Sequence, residues 1–407
     1  MKSWTLESQR IKSDSYPNST LKIYDSRSKQ VQNIDRANKT FQMYVCGITP
    51  YDSAHLGHAF TYLSFDLIVR TLNFIGISTN YVQNVTDIDD PLFEKARKSD
   101  QPCQDIVNQQ LDIYRKDMSA LNILPPNHFV GVMENMGLIT NQIGRTIDQN
   151  LSYKIGSEWY FETKSDKSSD LIRDICQNEL IELAKERGCD TDREGKKNQI
   201  DPILWKSSKD DEPIWNEEFG SGRPGWHIQC VSLAKEFAEL PLDIQGGGKD
   251  LIFPHHAMSE EQTKALGLGE LAKNYCHVGM VSYQGSKMSK SKGNLVFVHE
   301  LINQGVSPMV IRTLLMINQW NQDWEYDSSV LKKADDIYKL IVQNLKGKYI
   351  NQDDQHRVVN LMLENVNTPK ILDFLMELKP QEQSENDLLI DLFLDSLIGL
   401  KLESISK

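Results

Sequence analysis

The stretch 43–87 limits what this chain can fold into more than any other. MYVCGIT begins it and reads as a mostly apolar strand. From about Ala54 to Phe74, Leu56, Phe60, Leu63, Leu67 and Leu72 recur on helical spacing, and Gly76 supplies a stop. TNYVQNVTD then follows as a strand rich in β-branched and aromatic residues. A strand, a helix and a strand this close together predict a parallel, right-handed crossover, the repeating unit of an α/β fold.

The rest of the chain is organised around that unit. LKIYDS precedes it as a further strand. Residues 1–93 are read as the first half of a nucleotide-binding α/β domain. Residues 94–200 break the pattern and are read as an insertion. There Val107, Leu111, Tyr114, Met118 and Leu121 mark an amphipathic helix that Pro125-Pro126 should end, and GSEWYFET reads as a strand. The α/β pattern resumes over 201–300 with WHIQCVSLAKEFA as helix, PLDIQ as strand, a helix from about His256 and NYCHVGMVSYQ as one strand. Residues 301–407 read as helical: Val330, Ala334, Ile337, Ile341 and Leu345 share one face, and DLLIDLFLDSLIGL forms a last helix.

Composition narrows the function classes. No apolar run reaches membrane-spanning length and the N-terminus has no apolar leader, so a cytoplasmic protein with no membrane partner is expected. Six scattered cysteines without a C-x-x-C pair are not a disulfide framework. A net charge of −12 argues against a nucleic-acid partner. Oligomerisation leaves no mark, and a monomer is expected.

Four constellations carry chemistry. His55-Leu56-Gly57-His58 opens the predicted helix, where free N–H groups attract phosphate and two imidazoles could donate to it; alone, it is an ordinary helix start. Lys287-Met288-Ser289-Lys290-Ser291 is a cationic loop able to close on a triphosphate, although such runs are usually just solvated. Gly246-Gly247-Gly248, with Lys249 and Asp250, ends the strand PLDIQ, where backbone can approach a ligand and a carboxylate can accept ribose hydroxyls. Finally, Cys46, Cys230 and His255 each stand near one of these motifs. They are a possible zinc set, but their separations exceed local ligand spacing, and the residues by themselves favour three buried structural side chains.

HLGH after an early strand and KMSKS after a late one form the double signature of class I aminoacyl-tRNA synthetases. With YVCGITPYD, NYVQNVTDIDD, GRPGWHIQC and DIQGGGKDLIFPHH, the chain resembles the cysteinyl-tRNA synthetase-like family. Within it, MYVCGITPYD, HLGHAFTY, VTDIDDPLFEKA, LIELAKERGCDTDREGK and QGGGKDLIFPHH look like the branch of mycothiol-pathway ligases, over roughly residues 1–330. That branch's ERGGDP element stands here as Glu186-Arg187-Gly188-Cys189-Asp190-Thr191. The synthetases' fourth zinc ligand, a glutamate, is replaced by Ser259, and the His usual before the triple glycine is Gln245.

The resemblance implies a Rossmann-like class I core with an inserted connective region and a C-terminal helical domain. It implies one Zn²⁺ on Cys46, Cys230 and His255, gripping a substrate thiol. It places Cys46, Gly47, Ile48 and Thr49, Thr61, Asn84, Val85 and Thr86, Trp226, Gly248 to Asp250, and Val281 around an aminoacyl adenylate. His55, His58, Lys287 and Lys290 would stabilise the charge that develops on ATP, which enters with Mg²⁺. The implied reaction joins L-cysteine to the amine of glucosaminyl-inositol with loss of AMP and diphosphate. Two rivals stay open: a cysteinyl-tRNA synthetase with a shortened C-terminus, and a non-catalytic paralogue that binds cysteine or its adenylate. No base for the second step stands out; Asp87, Asp89 and Asp90 are candidates that could equally be turn formers.

Overall fold

A computed structural model describes residues 1–6, 11–13, 15–16, 19–35, 39–163, 169–288, 292–379 and 387–403. At its centre is a five-stranded sheet, parallel throughout. Across the sheet the strands run Ala272–Val278, Leu242–Gly248, Phe41–Ile48, Thr79–Val85, His128–Gly131. In chain order this is the 3-2-1-4-5 arrangement of a doubly wound nucleotide-binding fold. The order reverses between Phe41–Ile48 and Leu242–Gly248, so a crevice opens at the C-terminal ends of those two strands. The crossover expected from 43–87 is present: helix Leu56–Phe74 joins Phe41–Ile48 to its parallel neighbour Thr79–Val85.

Four expected features fall elsewhere. His128–Gly131 lies within the span read as an insertion, yet it is the edge strand of the parallel sheet. A separate antiparallel sheet takes Ser152–Ile155, Glu158–Phe161, Ile203–Lys206, Gly220–Pro224 and Trp215–Glu217, so the inserted structure continues past residue 200. The helix Cys103–Ala120 ends well before the prolines; Asn122, at φ +55°, turns the chain instead. NYCHVGMVSYQ is two strands, because Gly279 packs against the Gln322 carbonyl, where a Cβ would stand 2.0 Å away.

The helix Leu56–Phe74 is buried on nearly every side, including Asp66 and Arg70. One hydrophobic core runs from the sheet face beneath it into the C-terminal helices Pro308–Met316, Ser328–Leu345, Gln352–Leu363, Thr368–Glu377 and Ile390–Ile398. The C-terminal helices therefore share the core of the parallel-sheet unit. No helix among the described residues is long and apolar enough to cross a membrane.

Charge is buried inside this core because a carboxylate and backbone carbonyls between them satisfy it. The Asp66 carboxylate accepts from Arg70 Nε at 2.9 and 3.0 Å, from Leu124 N at 2.8 Å and from Arg312. The two guanidiniums use their remaining N–H groups on helix-end carbonyls: Arg70 on Asn122 at 2.6 Å, Arg312 on Leu121 at 2.7 Å and on Ile398 at 2.9 Å. Cations at helix C-termini oppose the negative end of the dipole. Gly399, at φ +65°, ends Ile390–Ile398 and leaves room for Arg312, whose NH2 would lie 2.3 Å from a Cβ there. We predict that Asp66→Ala, which strands two buried guanidiniums, lowers stability by roughly 3–5 kcal/mol in urea titration. A loss below about 1 kcal/mol would show that the cluster is not what joins the two units.

Candidate active site

The crevice at the switch point is lined by strand ends that touch through backbone. Gly47 follows Cys46, and a Cβ on it would fall 1.5 Å from the Asn84 carbonyl oxygen, so only glycine fits. Asn84 fastens the two strand ends side by side: its Oδ1 accepts from Gly47 N at 2.9 Å and its Nδ2 donates to Thr86 Oγ1 at 3.1 Å. On the other side Val45 pairs with Gly246. Phe65 of the buried helix lies against Gly246, with its ring 2.3 Å from where a Cβ would be.

The cysteines and histidines converge below this crevice. Cys46 Sγ lies 4.0 Å from Cys230 Sγ and 3.2 Å from His256 Nε2, and His255 Nε2 lies 3.2 Å from Cys230 Sγ. All four residues are buried. Cys46, His255 and His256 have ligand atoms close enough together to hold a metal ion. Burial drives the Cys46 thiol up, while the hydrogen bond from Cys46 and the neighbouring His255 pull Cys230 down. The 4.0 Å sulfur separation is near the ~3.8 Å edge of a tetrahedron with ~2.3 Å metal–sulfur bonds. The donor set thus fits a soft divalent ion.

His256 was not among the residues singled out from the sequence. The doublet in FPHH was its only signal, and the tight turn Ile252–His256 is what carries both imidazoles into one site. Supporting contacts were equally illegible. His227 Nδ1 meets His255 Nδ1 at 3.0 Å, His277 Nε2 meets His256 Nδ1 at 2.7 Å, and Gln245 Nε2 lies 3.2 Å from His256 Nε2. Ser259 turns its hydroxyl back to the His255 carbonyl, and Glu260 points away to Arg27 and Lys264. Trp226 stacks on the His255 ring, centroids 4.0 Å apart, at the half-exposed start of helix Trp226–Phe237.

On the other side of the crevice His55 and His58 stand near Lys287. His55 caps the helix, its Nδ1 accepting from Gly57 N at 3.0 Å, which places the ring proton of the neutral imidazole on Nε2. The His55 and His58 rings lie 3.9 Å apart. Burial is the main force pushing both below the ordinary 6.5, His58 to about 4, so both are neutral donors at pH 7. Leu56 N donates to Val296 O at 2.9 Å, which ties the segment after the lysine loop to the start of this helix. Thr61 is committed to the Gly57 carbonyl at 3.0 Å, and Val281 is core.

Lys287 ends a hairpin whose turn residues Gln284 and Gly285 both have positive φ, a type I′ pattern. Its Nζ reaches Asp250 Oδ2 at 3.1 Å. Burial raises the Asp250 carboxyl, but Lys287 and Arg187 outweigh it and hold the group below its usual range. Gly248 makes room for that carboxylate; a Cβ there would stand 2.6 Å from Asp250 Oδ1. Lys249 leans outward to Asp323 at 2.9 Å. Ser289, Lys290 and Ser291 lie outside the described residues. The three acids after Thr86 hold structure: Asp87 accepts from Met133 N, Asp89 caps Asp90–Ser99, and Asp90 pairs with Lys206 and Arg223.

Comparison with known proteins is consistent with this architecture. A family profile described as "tRNA synthetases class I (C) catalytic domain" matches residues 32–336. An L-cysteine:1D-myo-inositol 2-amino-2-deoxy-alpha-D-glucopyranoside ligase of Acidothermus cellulolyticus is 43% identical over 77% of this chain and 78% of its own. The ligase of the same name from Corynebacterium aurimucosum is 41% identical over 79% of each chain. Among solved structures, Mycobacterium tuberculosis methionyl-tRNA synthetase in complex with methionyl-adenylate superposes at TM-score 0.61, with 15% identity, over 84% of this chain and 82% of that one. A putative arginyl-tRNA synthetase from Campylobacter jejuni does so at 0.52, with 13% identity, over 91% and 92%.

The neutral, buried His58 yields a pH prediction. Between pH 6.5 and about 4 the unfolded chain takes up a proton that folded His58 refuses, so the folded state loses stability as pH falls through that window. Asp87 and Asp89, which burial pushes up to about 6, act in the opposite sense, so the effect is read as a difference. Relative to His58→Gln, the wild type should lose roughly 2–3 kcal/mol between pH 7 and pH 4. A gap independent of pH would place His58 in solvent or in a charged state.

Proposed function

Because this chain belongs to the family of class I (C) tRNA-synthetase catalytic domains, we propose that it is an ATP-dependent, AMP-forming ligase joining L-cysteine to the amine of glucosaminyl-inositol. The observation that carries this reading is the meeting, at one switch-point crevice, of a thiol–imidazole cluster with nucleotide-site residues: Cys46, Cys230 and His255 below, His58, Asp250 and Lys287 above. The ligases of that name cover most of this chain and supply the acceptor.

Cys46, Cys230 and His255 would hold one Zn²⁺. Bound there, it supplies a soft partner for a substrate sulfur, which a serine hydroxyl cannot match. Trp226, stacked on His255, closes the pocket over the side chain being selected. Gly47 to Thr49 and Asn84 to Thr86 present strand-end backbone and amide groups to the adenylate. Gly248 gives ribose a close approach and Asp250 accepts its hydroxyls.

In the first step a cysteine carboxylate oxygen bonds to the α-phosphorus of ATP and the bond to the β-phosphate bridge breaks. His55 Nε2 and His58 donate as neutral imidazoles, while Lys287 and Lys290 balance charge on the departing diphosphate, which leaves with Mg²⁺. In the second step the sugar amine bonds to the activated carbonyl carbon, the carbon–oxygen bond to AMP breaks, and the amine loses a proton.

Three outcomes test this reading. The protein should catalyse cysteine-dependent ATP–diphosphate exchange, and His58→Ala or Lys290→Ala should lower it by about 100-fold or more; no exchange by zinc-loaded protein would leave only a binding role. Supplied with ATP and cysteine, it should consume glucosaminyl-inositol and leave tRNA uncharged; charged tRNA would make it a synthetase instead. Metal analysis should find one zinc per chain, lost on Cys46→Ala together with discrimination against serine.

A further inference from the structure

The segment Glu186-Arg187-Gly188-Cys189-Asp190-Thr191 has no part in the reaction described above. Its backbone is a firmly built helix end. Helix Gln177–Glu186 stops at Arg187, Gly188 adopts φ +81°, and Cys189 N closes onto Ala184 O at 2.9 Å. Cys189 sits at a negative φ, so the position does not demand glycine. The Asp190 carboxylate accepts from the Tyr160 hydroxyl and pairs with Lys196 at 3.2 Å, which fixes the turn to the antiparallel sheet. The helix itself packs on the turn Ile252–His256, just beyond Asp250.

From this fixed turn one side chain crosses to the parallel sheet. Arg187 NH1 lies 3.7 Å from Asp250 Oδ2, the same oxygen that Lys287 Nζ approaches at 3.1 Å. One carboxylate therefore faces two cations, one from the end of helix Gln177–Glu186 in the inserted region and one from the loop hairpin. They are not equivalent. The lysine makes a hydrogen bond, whereas the arginine contact is an ion pair too long for one. Arg187 Nε is buried and has no hydrogen-bond partner among the described residues. A guanidinium does not lose its proton, so burial cannot neutralise it.

A phosphate chain entering the crevice competes with Asp250 for Lys287. If the lysine moved alone, it would leave a partly buried carboxylate without a counter-charge at the moment that carboxylate must accept ribose hydroxyls. We propose that Arg187 is a nucleotide-positioning residue: it is the counter-ion that stays with Asp250 when ATP draws Lys287 to the phosphates. This rests on the reading of Asp250 as the ribose acceptor and Lys287 as a phosphate ligand. The inserted region thus contributes to ATP affinity without touching the reacting atoms.

The test is cysteine-dependent ATP–diphosphate exchange by the full-length, zinc-loaded protein carrying Arg187→Met, Arg187→Lys, Asp250→Asn, or Asp250→Asn with Arg187→Met. Arg187→Met should raise KM for ATP about tenfold, the scale of losing a partner that orients a ligand group. It should change kcat by less than about threefold and leave KM for cysteine unmoved, and Arg187→Lys should recover most of the loss. In the Asp250→Asn background the same substitution should add nothing, because its effect runs through that carboxylate. Should Arg187→Met fail to fold, Arg187→Gln carries the same expectations. An unchanged KM for ATP in an active variant, a failure of lysine to rescue, or an undiminished effect without Asp250 would overturn the proposal alone. No exchange by the wild type would overturn it together with the ligase reading.

Discussion

The structure depends on one backbone ladder, the parallel pairing of Phe41–Ile48 with Leu242–Gly248. The two strands are far apart in sequence, yet Val45 and Gly246 stand level, so Cys46 and the last two glycines reach the crevice together. Parallel strands pack this closely only where side chains allow it. Gly246 accommodates the ring of Phe65, and Gly47 accommodates the Asn84 carbonyl. A shift of one residue in Phe41–Ile48 would send Cys46 to the other face and break up the thiol–imidazole cluster.

What could be read from the chain was what is local. The crossover 43–87 showed itself because apolar spacing changes from strand to helix and back within one unit. The two short runs His55–His58 and Lys287–Ser291 were likewise legible as local patterns, whatever their role. The strand His128–Gly131 was missed because four residues carry no period of their own, and its place is decided by the edge it pairs with. Asp66 and Arg70 carry no sequence signal of their role, since their partner Arg312 and the helix end at Asp395 lie hundreds of residues away. His256 and Arg187 were hidden for the same reason: each acquires its meaning from a group on another element.

Two ways of burying polar groups divide the molecule. In the shared core, charge is kept and paired, as at Asp66, where the geometry satisfies both guanidiniums. Around the crevice, the imidazoles give up charge instead, and burial holds His55, His58, His227, His256 and His277 neutral. Neutral imidazoles keep a lone pair for a metal or a proton for a phosphate oxygen, and they leave the positive charge of the site to lysine and arginine.

Those cations are already occupied. Lys287 and Arg187 face Asp250, and Lys249 faces Asp323. Two of these cations share one carboxylate and the third has its own, so the positive charge of the described residues is largely compensated within the crevice. On the proposed reading, a nucleotide would trade these contacts, its ribose taking over the carboxylate while its phosphates take over the lysine. Binding then becomes an exchange of partners within the site, with few charges left bare along the way. The acidic character of the chain and its nucleotide chemistry are therefore compatible, and the discrimination lies in how well an incoming ligand replaces the contacts it displaces.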